Sequence, residues 1–235
     1  MTEIKALTFD VFGTVVDWRS SVAREAEALL GPKGWRLDWG AFADDWRGLY
    51  GPSMRKVSQG ERPFVILDEL HRENLVEVLA KHGVMGLTDG EVDELNLAWR
   101  KLDPWPDVVA GMARLKRRFV LAALSNGNIA LMVGMAKRAG LLWDVILGAE
   151  VARAYKPQPQ VYQSAAQMLD LSPAECLMVA AHPSDLKAAA ACGLRTAYVH
   201  RPLEQGPGRE APRPGAADFD YVVDDFNALA NALGA

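Results

Sequence analysis

Four short polar segments of this 235-residue chain hold side chains that could act together on a small substrate. Asp10-Val-Phe-Gly-Thr14 offers a carboxylate and a hydroxyl, and Ser125-Asn126-Gly127-Asn128 a hydroxyl beside an amide. Tyr155-Lys156-Pro157 adds an ammonium, and His182-Pro183-Ser184-Asp185 an imidazole and a second carboxylate. A carboxylate can attack an electrophilic carbon, a nearby cation keeps it ionised, and a second carboxylate can orient or activate water. Taken singly, each segment is an ordinary turn, because Asp, Asn, Ser and Gly favour turns and caps. Their meaning depends on whether the fold brings them to one place.

Three of them follow short apolar runs, Ile4–Asp10, Phe119–Leu124 and Cys176–Ala181, of the kind that form strands buried on both faces. Asp144–Gly148, Arg195–His200 and Tyr221–Val223 complete the strand list. Between them, Ile129, Met132, Val133 and Ala136 repeat at helical spacing before a capping Gly140, as do Val161, Ala165, Met168 and Leu169. Residues 184–191 form another predicted helix, with Ser184 as its N-cap. This alternation predicts a parallel sheet with helices on both faces, whose ligands bind beyond the carboxyl ends of the strands.

Residues 16–102 differ. Their apolar residues fall at helical spacing, in candidates over 20–30, 38–49, 65–81 and 91–101, with breaks at Gly31-Pro32, Gly51-Pro52 and Asp103-Pro104-Trp105-Pro106. The simplest arrangement is a helical domain, residues 16–103, inserted into an α/β domain formed by 1–15 and 104–235. Residues 201–220, rich in proline and glycine, read as a long surface loop.

Half of the chain is apolar and about a quarter charged, with a formal charge of −4. That balance argues against a general binder of nucleic acid or of anionic membranes. No apolar run is long enough to span a bilayer, and the first ten residues carry Glu3 and Asp10, unlike a signal peptide. Cys176 and Cys192 lack metal-ligand spacing and read as buried reduced thiols, so the expected location is the cytoplasm.

Asp10-x-Phe12-Gly13-Thr14, Leu124-Ser125-Asn126-Gly127, Tyr155-Lys156-Pro157 and the Asp185 segment, in that order and at that spacing, resemble the four motifs of the haloacid dehalogenase superfamily. The resemblance covers essentially the whole chain and implies an α/β, Rossmann-like parallel core with the helical insert as its cap. Most members of the superfamily are magnesium-dependent phosphatases with a second Asp two residues beyond the nucleophile. Here that position is Phe12, which cannot protonate an alcohol leaving group; a halide needs no such donor. The 182–185 segment offers one carboxylate, fewer oxygens than Mg²⁺ prefers. The pattern is therefore similar to the metal-independent (S)-2-haloacid dehalogenases.

That branch implies hydrolysis of small 2-haloalkanoic acids (chloroacetate, fluoroacetate or 2-chloropropionate) to 2-hydroxy acids, with inversion at C2, no metal and no organic cofactor. It also implies a homodimer. Asp10 is the expected nucleophile, forming an aspartyl ester, and Lys156 keeps it ionised. Thr14 and Ser125 are expected to hydrogen-bond a carboxylate, either the nucleophile's or the substrate's, and Asn126 to face the halide. Asp185 is expected to orient or activate water, a role that a first-turn acid stabilising its helix can share. Phe12 closes the site under the cap. In Trp46-Arg47, the Arg47 guanidinium would take the substrate carboxylate or the halide. Tyr162 matches a site tyrosine, with core packing as the plain alternative. His182 stands where better-known members carry asparagine, as Ala180 stands for serine. It is a donor, a base titrating near neutrality, or a histidine satisfied by a backbone carbonyl. The competing functions are a Mg²⁺-dependent phosphatase or phosphonate hydrolase of the same fold, and a catalytically quiet binding protein.

Overall fold

The structure, a computed structural model, describes residues 2–235. Its strands are β1 (Ala6–Phe9), β2 (Val16–Asp17), β3 (Asp103–Pro104), β4 (Val120–Ser125), β5 (Val145–Gly148), β6 (Cys176–Ala180), β7 (Arg195–Val199) and β8 (Tyr221–Val223). Six of them pair in the order β5-β4-β1-β6-β7-β8, all parallel. The chain steps outward from β1 through β4 to β5, then returns to the other side of β1 as β6. Strand order therefore reverses at β1, which places a ligand crevice at its carboxyl end.

Both faces of the sheet are covered because alternate strand residues point to opposite sides. Leu7, Phe9, Leu121, Ala123, Leu177 and Val179 pack in one core with α5 (Val108–Leu115), α6 (Ile129–Ala139) and α10 (Phe226–Ala232). Ala6, Ala122, Leu124, Cys176, Met178 and Ala180 pack in another with α8 (Pro159–Met168) and α9 (Pro183–Ala191). The single turn α7 (Ala149–Ala152) follows β5.

Between β2 and β3, which pair antiparallel where the chain leaves and re-enters the sheet region, the backbone is helical. The helices are α1 (Trp18–Leu30), α2 (Trp39–Ser58), α3 (Leu67–Lys81) and α4 (Asp89–Asn96), the last followed by a 3₁₀ turn at Leu97–Arg100. Asp17, Asp38 and Thr88 cap α1, α2 and α4, each side chain accepting from a first-turn backbone N–H. Their apolar faces continue the first core through Trp18, Phe42, Trp46, Leu70, Leu75 and Trp99.

Four local expectations change. Gly51-Pro52 does not break α2, which runs through Pro52 to Ser58. Ser184 is not the N-cap of α9, because Pro183 takes the first helical position and moves the cap to His182. Cys192 is partly exposed, whereas Cys176 is buried and its thiol pushed up to about 11, chiefly by burial. The 201–220 segment is not only surface loop, since Arg201 and Glu204 are buried. No helix of the described residues is long and apolar enough to cross a membrane.

Candidate active site

Asp10 follows β1 and points into the crevice with only 7% of its surface exposed. Three donors hold its two oxygens. Lys156 Nζ reaches Oδ1 at 2.9 Å, while Thr14 Oγ1 at 2.7 Å and His182 Nδ1 at 2.9 Å reach Oδ2. Thr14 is oriented in turn, its Oγ1 accepting from the Ala181 N–H at 2.9 Å. Burial alone would raise the Asp10 pKa, but Lys156 and His182 outweigh it and hold the carboxyl far below its usual range.

Lys156 lies between two carboxylates, donating also to Asp185 Oδ2 at 2.5 Å. Burial works against its charge, and Asp10 and Asp185 overcome that and raise its pKa. The other Asp185 oxygen accepts from the Tyr162 hydroxyl. Tyr162 is thus both core and site: its ring is fully buried, and burial followed by the Asp185 charge raises its pKa. Asp185 lies in the first turn of α9, so both of its expected placements coincide.

His182 faces carboxylates on two sides and no backbone carbonyl. Nδ1 meets Asp10, and Nε2 lies 3.0 Å from each oxygen of Glu204. Burial disfavours the imidazolium, yet Asp10 and Glu204 together push its pKa up to about 10. Two carboxylates thus favour the charged imidazole over the expected titration near neutrality. Glu204 was not legible as a site residue. It is held by Trp18 Nε1 at 3.2 Å and rests against Gly13, whose φ of +87° also demands glycine. A Cβ on Gly13 would stand 2.2 Å from Glu204 Oε1. The segment carrying Glu204 is anchored by Arg201, which donates to Thr14 O at 2.8 Å and to both oxygens of Asp107 at 2.8 and 2.9 Å.

Ser125 ends β4, fully buried, and its Oγ accepts from the Gly127 N–H at 3.0 Å rather than meeting Asp10. Asn126 Oδ1 accepts from the Lys156 backbone N–H at 2.8 Å, tying the second and third segments together.

Around Phe12, two residues beyond Asp10, the helical region contributes an aromatic box. The Phe12 ring, 2% exposed, stands edge-on to Tyr50, His71 and Trp99 at centroid distances of 6.4, 6.3 and 5.8 Å. His71 stacks on Trp99 at 4.2 Å. Arg47 enters this box with its guanidinium carbon 3.9 Å from the Tyr50 ring centroid, 5.5 Å from that of Trp18 and 5.6 Å from that of Phe12. Its Nη1 is buried without a hydrogen-bond partner, as are both ring nitrogens of His71 and Nε1 of Trp99. Burial, aided by the Arg47 charge, drives the His71 pKa well below its ordinary value, so its imidazole is neutral. Sequence reading missed Tyr50, His71 and Trp99; a lone histidine at helical spacing carries no signal that distinguishes it from core.

No group of three or more His, Cys, Asp or Glu among the described residues could hold a metal ion. Instead, the two crevice carboxylates share one ammonium, and the third is tied to an imidazolium and an indole N–H.

Residues 4–193 match the family model described as haloacid dehalogenase-like hydrolase. The chain belongs to that family. Among curated haloacid dehalogenase-like relatives it is 30% identical over 208 residues, 86% of each chain, to (S)-2-haloacid dehalogenase 1 of Pseudomonas sp. (strain CBS-3). It is 28% identical over 204 residues, 84% of each chain, to (S)-2-haloacid dehalogenase 4A of Burkholderia cepacia. Among solved structures it is similar to a defluorinating L-2-haloacid dehalogenase, with 45% identity, a TM-score of 0.94 and coverage of 99% of this chain and 96% of that one. A second L-2-haloacid dehalogenase structure matches at 44% identity and a TM-score of 0.94, over 98% of this chain and 99% of that one.

Proposed function

We propose that this haloacid dehalogenase-like hydrolase removes halide from small 2-haloalkanoic acids, giving 2-hydroxy acids with inversion at C2. The observation that carries this reading is a buried Asp10 held by Lys156, together with an Arg47 guanidinium that lies against the Phe12 ring with its Nη1 buried and unpartnered. A carboxylate is a competent nucleophile for an sp³ carbon, and a site shielded by aromatic rings leaves it poorly hydrated. The relatives named (S)- or L-2-haloacid dehalogenases support the same substrate class.

In this account residues 16–103 form a cap over the core built from 1–15 and 104–235, so substrate lies between the two. Asp10 attacks C2 from the side opposite the halogen, the carbon–halogen bond breaks, and an aspartyl ester forms. Lys156 and Thr14 fix the attacking carboxylate, and Asp185 with Tyr162 fixes Lys156. Arg47 meets the substrate carboxylate or the halide by charge-assisted bonds. Ser125, whose oxygen accepts from Gly127, keeps its own hydrogen to donate to the substrate carboxylate, and Asn126 faces the departing halide. Phe12 supplies an apolar wall where a phosphatase would need a proton donor.

The account extends to a homodimer working in the cytoplasm. Both cysteines are free thiols, which suits a reducing compartment, and the resemblance to the (S)-2-haloacid dehalogenases implies the dimer. Sedimentation of the purified protein reads the latter directly.

Incubating the protein in EDTA with chloroacetate, fluoroacetate and each enantiomer of 2-chloropropionate, and measuring halide, tests the function. Halide release that persists in EDTA and vanishes in Asp10→Asn is expected. No halide, with Mg²⁺-dependent turnover of p-nitrophenyl phosphate, would overturn the reading.

A further inference from the structure

Asn128 closes the second polar segment, yet the chemistry described above leaves it without a part. It stands at the N-cap of α6, where an asparagine side chain normally accepts from the first-turn N–H groups of its own helix. Here it makes no such bond, and the Ile129 N–H goes instead to Glu150 Oε2 at 2.6 Å. The buried Asn128 side chain turns toward the helical region and meets Asp68 twice. Its Nδ2 donates to Asp68 Oδ2 at 3.0 Å, and its Oδ1 accepts from the Asp68 backbone N–H at 3.1 Å. We propose that this reciprocal pair makes Asn128 a positioning residue, which with Asp68 fixes Arg47 relative to Asp10. The inference rests on the dehalogenase reading given above.

Both ends of the pair are tied to the groups they would position. On the sheet side, Asn128 is two residues from Asn126, whose Oδ1 holds the Lys156 N–H, and Lys156 Nζ holds Asp10. On the helical side, Asp68 lies in the first turn of α3. One turn later the His71 carbonyl accepts from Trp46 Nε1 on α2 at 2.8 Å, and Trp46 immediately precedes Arg47. Asp68 also gathers the end of the helical region. Its Oδ2 accepts from Arg100 Nη2 at 2.6 Å and its carbonyl from Asn96 Nδ2 at 2.9 Å. Trp99, beside Arg100, stacks on His71. Tyr155 supports the same crossing three residues earlier, its hydroxyl donating to Val65 O at 2.6 Å. A short route of bonded neighbours thus joins the attacking carboxylate to the guanidinium that meets the substrate.

Attack from behind needs nucleophile, carbon and halide nearly in line, and an error of about 1 Å can cost about 100-fold. One hydrogen bond leaves the two regions free to rotate about it. Two bonds between a planar amide and one residue fix orientation as well as distance. With its side chain only 13% exposed, Asp68 holds this geometry largely away from competing water. Asn128 therefore acts without touching substrate, through the placement of Arg47.

Steady-state halide assays on exchanged partners test this with chloroacetate. Asn128→Ala should lower kcat/KM by about 10- to 100-fold, and Asn128→Asp, which sets two carboxylates against each other, by at least about 100-fold. The double variant Asn128→Asp/Asp68→Asn swaps donor and acceptor, rebuilds both bonds and keeps the charge beside Arg100. It should recover to within about fivefold of the wild type. In an Arg47→Lys background, Asn128→Ala should cost less than about threefold, because the guanidinium it positions is gone. A role confined to stability would give the full loss in both backgrounds. Wild-type kcat/KM in Asn128→Ala, no recovery in the double variant, or a full loss beside Arg47→Lys would each sink the inference. Wild-type protein that releases no halide at all would overturn the dehalogenase reading itself.

Discussion

The two walls of the crevice are built on opposite rules. On the sheet side every charge is answered: Asp10, Lys156, Asp185, Tyr162, His182 and Glu204 form one chain of hydrogen bonds without ligand, ended by Trp18 Nε1 from α1. On the helical side Arg47 Nη1, His71 and Trp99 Nε1 are buried with nothing to bind. A buried polar atom without a partner costs free energy, which makes these crevice atoms candidates to meet a ligand. In the proposed function the sheet wall is organised in advance for chemistry, and the helical wall is the one that meets the substrate.

This contrast can be broken at several points. Replacing Lys156 with Met leaves two carboxylates facing each other in a dry crevice. It should abolish measurable halide release and cost about 3–5 kcal/mol of stability in urea unfolding, the usual effect of breaking a buried pair. A small loss would mean that the sheet wall is not the coupled unit described.

The pH dependence follows from the directions of the shifts. His182 is raised from 6.5 to about 10, so its stabilising contribution is full below about pH 6.5 and is lost as pH rises toward 10. Asp10 is lowered from 3.8, so its contribution is full above about pH 4 and is lost only as pH falls toward its depressed value. Thermal unfolding should therefore show its highest Tm between about pH 4 and 6.5, with a decline toward pH 10 that flattens in His182→Asn. Exposure of His182 lets solvent screen part of the effect, so the difference in slope, rather than its size, is decisive. Equal slopes in the two proteins would refute the assignment.

On the helical wall, Arg47→Lys should raise KM and lower kcat/KM by about 10- to 100-fold. An ammonium is a point charge that cannot reproduce the planar fork or its stacking on Tyr50. Unfolding in urea should change by less than about 1 kcal/mol, because Nη1 has no protein partner to lose. The smallest effect is expected for His71→Phe, neutral or stabilising by up to about 1 kcal/mol, since it replaces two unpartnered nitrogens while keeping an aromatic ring against Trp99. A clear destabilisation would show that His71 is partnered in solution and that the wall is less open than described.

The sheet wall was also the more legible one. Asp10, Ser125, Asn126 and Asp185 sit at strand ends or helix starts, where an apolar run followed by turn residues marks both the element and its exit. Lys156 needed the motif, because a lysine in a loop is otherwise indistinguishable from a solvated one. Glu204 lay beyond reach: in a stretch of prolines and glycines nothing signals that one carboxylate turns inward to meet His182. The helix through Pro52 misled for a related reason, since a Gly-Pro pair is a turn signal that tertiary packing overrode. His71 and Trp99 were hidden by resembling core, and only the absence of partners for their nitrogens separates them from it.

The most direct test of the central claim, that Asp10 forms a covalent ester, is a single turnover in ¹⁸O-water with enzyme in excess over chloroacetate. The product should carry unlabelled oxygen taken from Asp10, and the peptide containing Asp10 should gain one ¹⁸O. Label in the product of that first turnover would mean that water attacks the substrate directly and that Asp10 is not the nucleophile.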